Sequence, residues 1–142
     1  MRVFIAGIMQ GSRTDRDIDA QDYRDKIAQA LQSHVPDVEL VDPLALHPDS
    51  VHYSPEQAKQ TLLELVALAG QADALVAYVP SASMGTAIEM WHAYQGQAPV
   101  YTISPMTDNW VIRSLSERVF PDIAAFAAFV ASGGLTGTES EA

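Results

Sequence analysis

Ala74-Leu75-Val76-Ala77-Tyr78-Val79-Pro80-Ser81-Ala82-Ser83-Met84-Gly85-Thr86-Ala87-Ile88-Glu89-Met90-Trp91 is the stretch on which the fold turns. Ala74 to Val79 is a nearly unbroken apolar run, the composition of a strand buried on both faces of a parallel sheet. Pro80 ends it, because proline cannot donate to a strand ladder. A helix is expected to start near Gly85, so the segment reads strand, turn, helix.

The same unit recurs on either side. Upstream, Ser54-Pro55-Glu56-Gln57 is a helix start: Ser54 can cap, Pro55 suits the first helical position, and Gln57 can reach back as in a capping box. Ala58, Leu62, Leu65, Val66 and Ala69 predict its inner stripe, and Gly70 its end. Earlier still, Val3 to Ala6 reads as a first strand and Tyr23, Ile27, Ala30 and Leu31 recur at helical spacing. Val38 to Val41 then leads into Asp42-Pro43 as a second short strand. Downstream, Pro99 to Ile103 predicts a fourth strand ended by Ser104-Pro105. Asn109 to Val119 suits a helix, and Pro121 to Val130 a closing one. This alternation implies an α/β protein: a single-domain, doubly wound parallel sheet, Rossmann-like or flavodoxin-like, with four to five strands and flanking helices. The chain has 142 residues and 48% hydrophobic content, enough for one core. Residues 1–131 are read as the domain and 132–142, rich in Gly, Ser and Thr, as a disordered tail.

Composition narrows the function classes. Eighteen acidic against eight basic side chains give a formal charge of −10, which repels polyanions and argues against a nucleic-acid groove or an anionic membrane surface. The longest apolar runs, Ala74 to Pro80 and Ile123 to Ala131, fall short of the roughly 20 residues that span a bilayer. The start, Met1 to Gly7, is read as a strand rather than a signal peptide, and the expected location is cytoplasmic. With no cysteine there is no disulfide framework and no thiolate chemistry. His34, His47, His52 and His92 show no ligand spacing, so no metal and no cofactor is expected.

In an open sheet of this kind, ligands gather outside the carboxyl ends of the strands. Four loops therefore matter: residues 7–16, 42–53, 80–89 and 104–109. In the third, Gly85 allows close backbone approach, Ser83 adds a donor and Glu89 lies about one turn on. A carboxylate placed there can capture an oxocarbenium-like sugar carbon as a glycosyl ester, and the positive helix end favours its ionised form. The plainer alternative is an acidic residue that only complements the helix dipole. The first loop, Gly7-Ile8-Met9-Gln10-Gly11-Ser12-Arg13, lacks both the G-x-G-x-x-G spacing and a P-loop ending, which disfavours NAD and ATP sites. Gly7 and Gln10 are its candidate contacts, unless it is a simple strand-to-helix turn.

The G-x-x-x-G-x-R loop, the A-D-x-x-V-A strand, the S-x-G-x-x-x-E turn and the N-x-V-I-R segment at Asn109 together resemble the nucleoside 2-deoxyribosyltransferase family, which also contains deoxynucleoside-monophosphate N-glycosidases. The resemblance covers roughly residues 2–120 in consistent order. It implies that Glu89 is the nucleophile, that Ser83 and Gly85 hold the 5′ end of the sugar, and that Asn109 reaches a neighbouring subunit's site. It also implies a second acid in the helix before the third strand, where Glu64 is nearest; Glu64 otherwise shares a water-facing stripe with Gln57, Gln60 and Gln71. Ser83 is the residue of the phosphate-binding hydrolases and Asn109 that of the transferases, while Ile8 replaces a phosphate-contacting serine. His52 and Tyr53 lie where a nucleobase would be covered, and Met9, Met84 and Met106 could line its pocket or simply fill the core.

The first reading is a base-exchanging transferase on 2′-deoxyribose, working through glycosyl-Glu89. The second is an N-glycosidase acting on a nucleoside or its 5′-monophosphate, and the third a non-catalytic nucleotide-binding module. The implied partners are a nucleoside or nucleotide and a free nucleobase. A homodimer or higher homo-oligomer with a shared active site is also expected, with no nucleic acid and no membrane.

Overall fold

A computed structural model of the chain describes residues 1–11, 13–15 and 17–137. Five parallel strands form one sheet in the order β2-β1-β3-β4-β5: β1 Arg2–Gly7, β2 Glu39–Val41, β3 Ala74–Tyr78, β4 Val100–Ile103 and β5 Arg118–Phe120. The helices are α1 Asp22–His34, α2 Pro43–Leu46, α3 Pro55–Gln71, α4 Met84–Gln95, α5 Trp110–Leu115 and α6 Ile123–Ala131. Register is continuous across the middle of the sheet, with Val3 beside Ala74 and Gly7 beside Tyr78.

Side-chain alternation divides the core into two layers. Val3, Ile5, Ala74, Val76, Tyr101 and Ile103 face α1 and α6, where Ile27, Leu31, Phe126 and Phe129 cover them. Phe4, Ala6, Leu75, Ala77 and Val79 face α3, α4 and α5, under Ala69, Met90, Ala93 and Ile112. The fully buried β1 and β3 explain why both read as apolar runs rather than alternating ones. The strands stay parallel, but the order in which they are added reverses between β1 and β3, so the crevice for a ligand opens at their carboxyl ends.

The capping box of α3 forms as read, Ser54 Oγ accepting from Gln57 N at 3.2 Å and Gln57 Oε1 from Ser54 N at 3.1 Å. Its inner stripe is shorter than expected. Val66 and Ala69 are buried, whereas Ala58 and Leu62 are exposed. The helix is about 25 Å long against about 17 Å for β3, so its first turns overhang the sheet. Gly70 does not end α3 but is its last residue but one, and a Cβ on Gly96 would collide with its carbonyl oxygen, so Gly96 lets α3 and the end of α4 approach closely.

The helix expected over residues 109–119 splits. α5 stops at Leu115, Ser116 Oγ bonds Thr102 Oγ1 at 2.6 Å, and Glu117 N donates to Val100 O at 2.8 Å, which starts β5 as the edge strand. β-branched Val119 and aromatic Phe120 fit a strand better than a helix end. Residues 132–137 form turns with Leu135 packed into the α1/α6 core layer. The rest of the expected tail, 138–142, lies outside the described residues. Among the described residues no helix is long and apolar enough to cross a membrane.

Candidate active site

Gly7 ends β1 because nothing larger fits: a Cβ there would run into the Tyr23 ring. The Tyr23 hydroxyl donates to Ile8 O at 2.9 Å and its ring stacks on Tyr78. Burial, first of all, pushes its phenol far above the usual range. One residue on, Arg24 is 2% exposed and makes four hydrogen bonds. Its Nε donates to Gln21 Oε1 at 2.8 Å, Nη1 to Ile5 O and to Asp42 Oδ1 at 3.0 Å each, and Nη2 to Gly7 O at 3.3 Å. Asp42 follows β2 and also caps α2 through Leu44 N at 3.0 Å. A guanidinium thus ties together α1, the end of β1 and the end of β2.

The β3–α4 turn supplies the opposite wall. Ser83 caps α4, its Oγ 2.8 Å from Thr86 Oγ1 and accepting from Thr86 N at 3.4 Å, while Ala87 N bonds Ser83 O. The amides of Met84 and Gly85 remain as the outward donors of the first turn. Beyond the α-carbon of Gly85 there is open space for 4 Å.

Glu89 is the sixth residue of α4, 8% exposed, and it accepts no hydrogen bond among the described residues. Burial pushes its carboxyl up to about 8, opposed by the charge of Arg24. Two expectations are corrected here. The residue is past the first turn, so it is not a helix-dipole partner, and desolvation outweighs the helix end that was expected to keep it ionised.

The remaining candidates are scattered. Gln10 is exposed, with its carbonyl accepting from Arg13 N. Asn109 is exposed and caps α5, Oδ1 accepting from Val111 N at 3.0 Å and Ile112 N at 3.3 Å. His52 is exposed in a 3-10 turn over Ser50–His52, and half-buried Tyr53 is held by His47 Nδ1 at 2.9 Å from its hydroxyl. Glu64 is exposed at mid-helix in α3, bonded to Gln60 Nε2 at 3.3 Å, and Gln57, Gln60 and Gln71 are exposed with it. Its side chain joins the solvated stripe and not the Glu89 wall. Arg13 is gripped by Asp15 at 3.1 Å, Asp19 at 3.2 Å and Asp17 at 3.8 Å. A groove of about 880 Å³ between α1 and α6 contains none of these candidates. Among the described residues no three His, Asp or Glu side chains converge as a metal ion would require.

Arg24 and Asp42 were not among the expected site residues. The signal was present: Arg24 shares the i, i+3, i+7 face of Ile27 and Leu31, so a charge stands on the buried stripe of α1. A charge in that position calls for a partner.

The sheet order and two-sided helix cover define a flavodoxin-like α/β protein with its crevice at the β1/β3 switch. Solved structures share this fold. A 2-deoxyribosyltransferase from Bacillus psychrosaccharolyticus is 16% identical with a TM-score of 0.65 over 89% of this chain and 90% of its own. A conserved protein from Enterococcus faecalis V583 is 15% identical with a TM-score of 0.61 over 94% and 98%. The CMP N-glycosidase BcmB of Clostridium botulinum is 17% identical with a TM-score of 0.50 over 90% and 95%. No protein-family model matches the chain, and no curated protein matches it by sequence.

Proposed function

We propose that the chain is a nucleoside 2′-deoxyribosyltransferase of the nucleoside deoxyribosyltransferase family, exchanging nucleobases on 2′-deoxyribose through a covalent glycosyl-Glu89 intermediate. The observation that carries this is Glu89 itself: a residue more than nine-tenths buried on α4, whose carboxyl burial pushes up to about 8. A carboxyl held in such surroundings is costly unless it works. An oxygen of ionised Glu89 bonds C1′ as the C1′–N bond breaks, and the departing base takes its proton from water, giving ester, neutral base and hydroxide. A second base reverses it; water would end it.

Ser83 and the amides of Met84 and Gly85 are positioned to hold the 5′ oxygen. The aspartates around Arg13 and the formal charge of −10 favour a neutral 5′-hydroxyl over a phosphate. Hydrolysis of a nucleoside or its 5′-monophosphate is the second reading, favoured by Ser83, whose hydroxyl leaves the helix end free of a carboxylate. The proposed assembly is a homodimer or higher oligomer. Exposed Met84, Ile88 and Trp91 share one face of α4, and exposed Trp110 follows Asn109 on neighbouring α5.

Incubating the protein with a deoxynucleoside, with and without a second free base, separates the readings. A new nucleoside formed only with the second base supports transfer. Free sugar at equal rates in both tubes assigns hydrolysis. Intact mass after exposure to a 2′-fluoro nucleoside reports the ester, and a Glu89→Ala protein that still gains that mass removes Glu89 from the role.

A further inference from the structure

We infer that two copies of this chain pair through the outer face of α4, antiparallel about a two-fold axis beside Ile88, so that the partner's Tyr94 lies against Met84 and walls the first turn of α4. This specifies the assembly proposed above. Its bearing on substrate rests on the assignment of that turn to the 5′ oxygen. α4 is apolar on two opposite sides. Met90 and Ala93 face the sheet, together with buried Thr86 and Glu89. Met84, Ile88, Trp91 and Tyr94 recur at helical spacing as a second stripe, 81%, 41%, 47% and 50% exposed. Apart from Gln95, they are all the exposed residues the helix has. A surface helix turns polar side chains to water on that side, whereas one apolar all round is a buried helix.

The stripe is the centre of one patch. Among the described residues ten large hydrophobic side chains are exposed, and eight of them stand on α3, α4 and α5. Leu62 and Leu63 flank the stripe from α3, Trp110 and Val111 from α5, and both helices pack against α4. α1 and α6, on the opposite face of the sheet, carry none. The eight expose on the order of 900 Å², against roughly 800 Å² per partner in a standard interface. Charge selects the occupant. Copies at −10 repel, so they meet only where acid is missing. α4 has no lysine or arginine, and its one acidic residue, Glu89, is buried. The stripe also matches itself. A two-fold interface sets residue i against j and j against i. Run antiparallel, Met84 meets the partner's Tyr94 and Ile88 the partner's Trp91, so each ring faces a slimmer side chain. A parallel pair would crowd the rings at one end and align the helix dipoles. The open space beyond Gly85 leaves room for the partner's ring beside the free amides of the first turn.

The chain has no cysteine, so single introduced cysteines read the register directly. With a short bismaleimide, Ile88→Cys, beside the axis, should link to its own copy. Met84→Cys and Tyr94→Cys should each stay unlinked alone and link to one another when co-expressed. Met84→Cys linking to itself, or a co-expressed pair that does not link, overturns the inference. So does a wild type that sediments as a monomer, leaving the face to another protein or a lipid surface. Turnover tests the wall. Tyr94→Ala should lower kcat/KM about tenfold, the worth of one good contact. Co-expression with Glu89→Gln, itself inactive, should restore wild-type sites in the mixed dimer, one copy giving Glu89 and the other Tyr94. Dimers that link in register without that rescue overturn the part assigned to Tyr94. If Tyr94→Ala sediments as a monomer, the pattern of links decides alone. The links need no turnover, so the predicted pattern in a protein that transfers no base supports the interface and overturns the transferase reading.

Discussion

Tyr23 and Tyr78 stack with ring centroids 4.3 Å apart and planes 23° from parallel, pinning α1 to the end of β3 beside the candidate crevice. The contact exists because Gly7 leaves room for the Tyr23 ring. Gly7→Ala should therefore cost about 1–3 kcal/mol by overpacking. Tyr23→Phe keeps the stack and removes one of the two donors to the Ile8 carbonyl, Gln21 Nε2 remaining at 3.0 Å, and should cost no more than about 1 kcal/mol. Urea unfolding measures both. If Gly7→Ala matches wild type, the close approach is not what fixes this residue.

The buried acid makes stability depend on pH in an unusual direction for a glutamate. Its folded-state value of about 8 is above its ordinary 4.5, so between the two the unfolded chain releases a proton that the folded one keeps. Its contribution is fully present below about 4.5, falls as pH rises through that window, and levels off above about 8. The span is on the order of 5 kcal/mol. Glu89→Gln removes this slope. The variant should gain on wild type steadily from pH 5 to 8 in urea midpoints, and parallel curves for the two proteins would falsify the raised value.

Much of this was legible in the sequence, and the parts that were not have physical reasons. Apolar Ala74 to Val79 announced a central strand because both of its faces are covered. Ser54 announced its helix because a cap is a local interaction; Ser83, read only as a donor to ligand, caps α4. β5 was missed because its pairing with β4 is decided by Ser116 meeting Thr102, a contact between distant segments. The state of Glu89 was misjudged for the same reason: the helix end is visible in sequence, whereas the desolvation that outweighs it belongs to the packed layer. Arg24 was passed over although it stands on the apolar stripe of α1 with Ile27 and Leu31.

Assembly is testable through the exposed face of α4. Met84 is 81% and Trp110 84% exposed, and Trp91 stacks on Tyr94 with centroids 6.0 Å apart. Sedimentation equilibrium should give a dimer or larger species. Trp91→Glu should dissociate it and lower turnover, because the site is proposed to be shared. A monomeric wild type with full turnover would remove the neighbouring subunit from the mechanism.

Glu64→Gln offers a sharp contrast. Its carboxyl is exposed and meets only Gln60. Exposed changes of this kind usually stay within about 0.5 kcal/mol. Turnover should be within about twofold of wild type. A loss of a hundredfold or more would restore Glu64 as the proton donor to the leaving base and require a large rearrangement of α3 on binding.

The reaction itself should carry the signature of the buried acid. Attack at C1′ needs the ionised carboxylate, and in the free protein this form becomes dominant only above about pH 8. The profile of kcat/KM should thus rise about tenfold per unit across pH 6 to 7.5 and flatten above about 8. The proton released on ionisation goes to solvent and the leaving base is protonated by water, so the limb should persist for bases that differ little in their own basicity. A 7-deaza purine nucleoside, whose base cannot be protonated at position 7, should react more slowly while retaining the same midpoint. A midpoint that followed the base instead would assign the titration to the substrate and leave Glu89 ionised throughout.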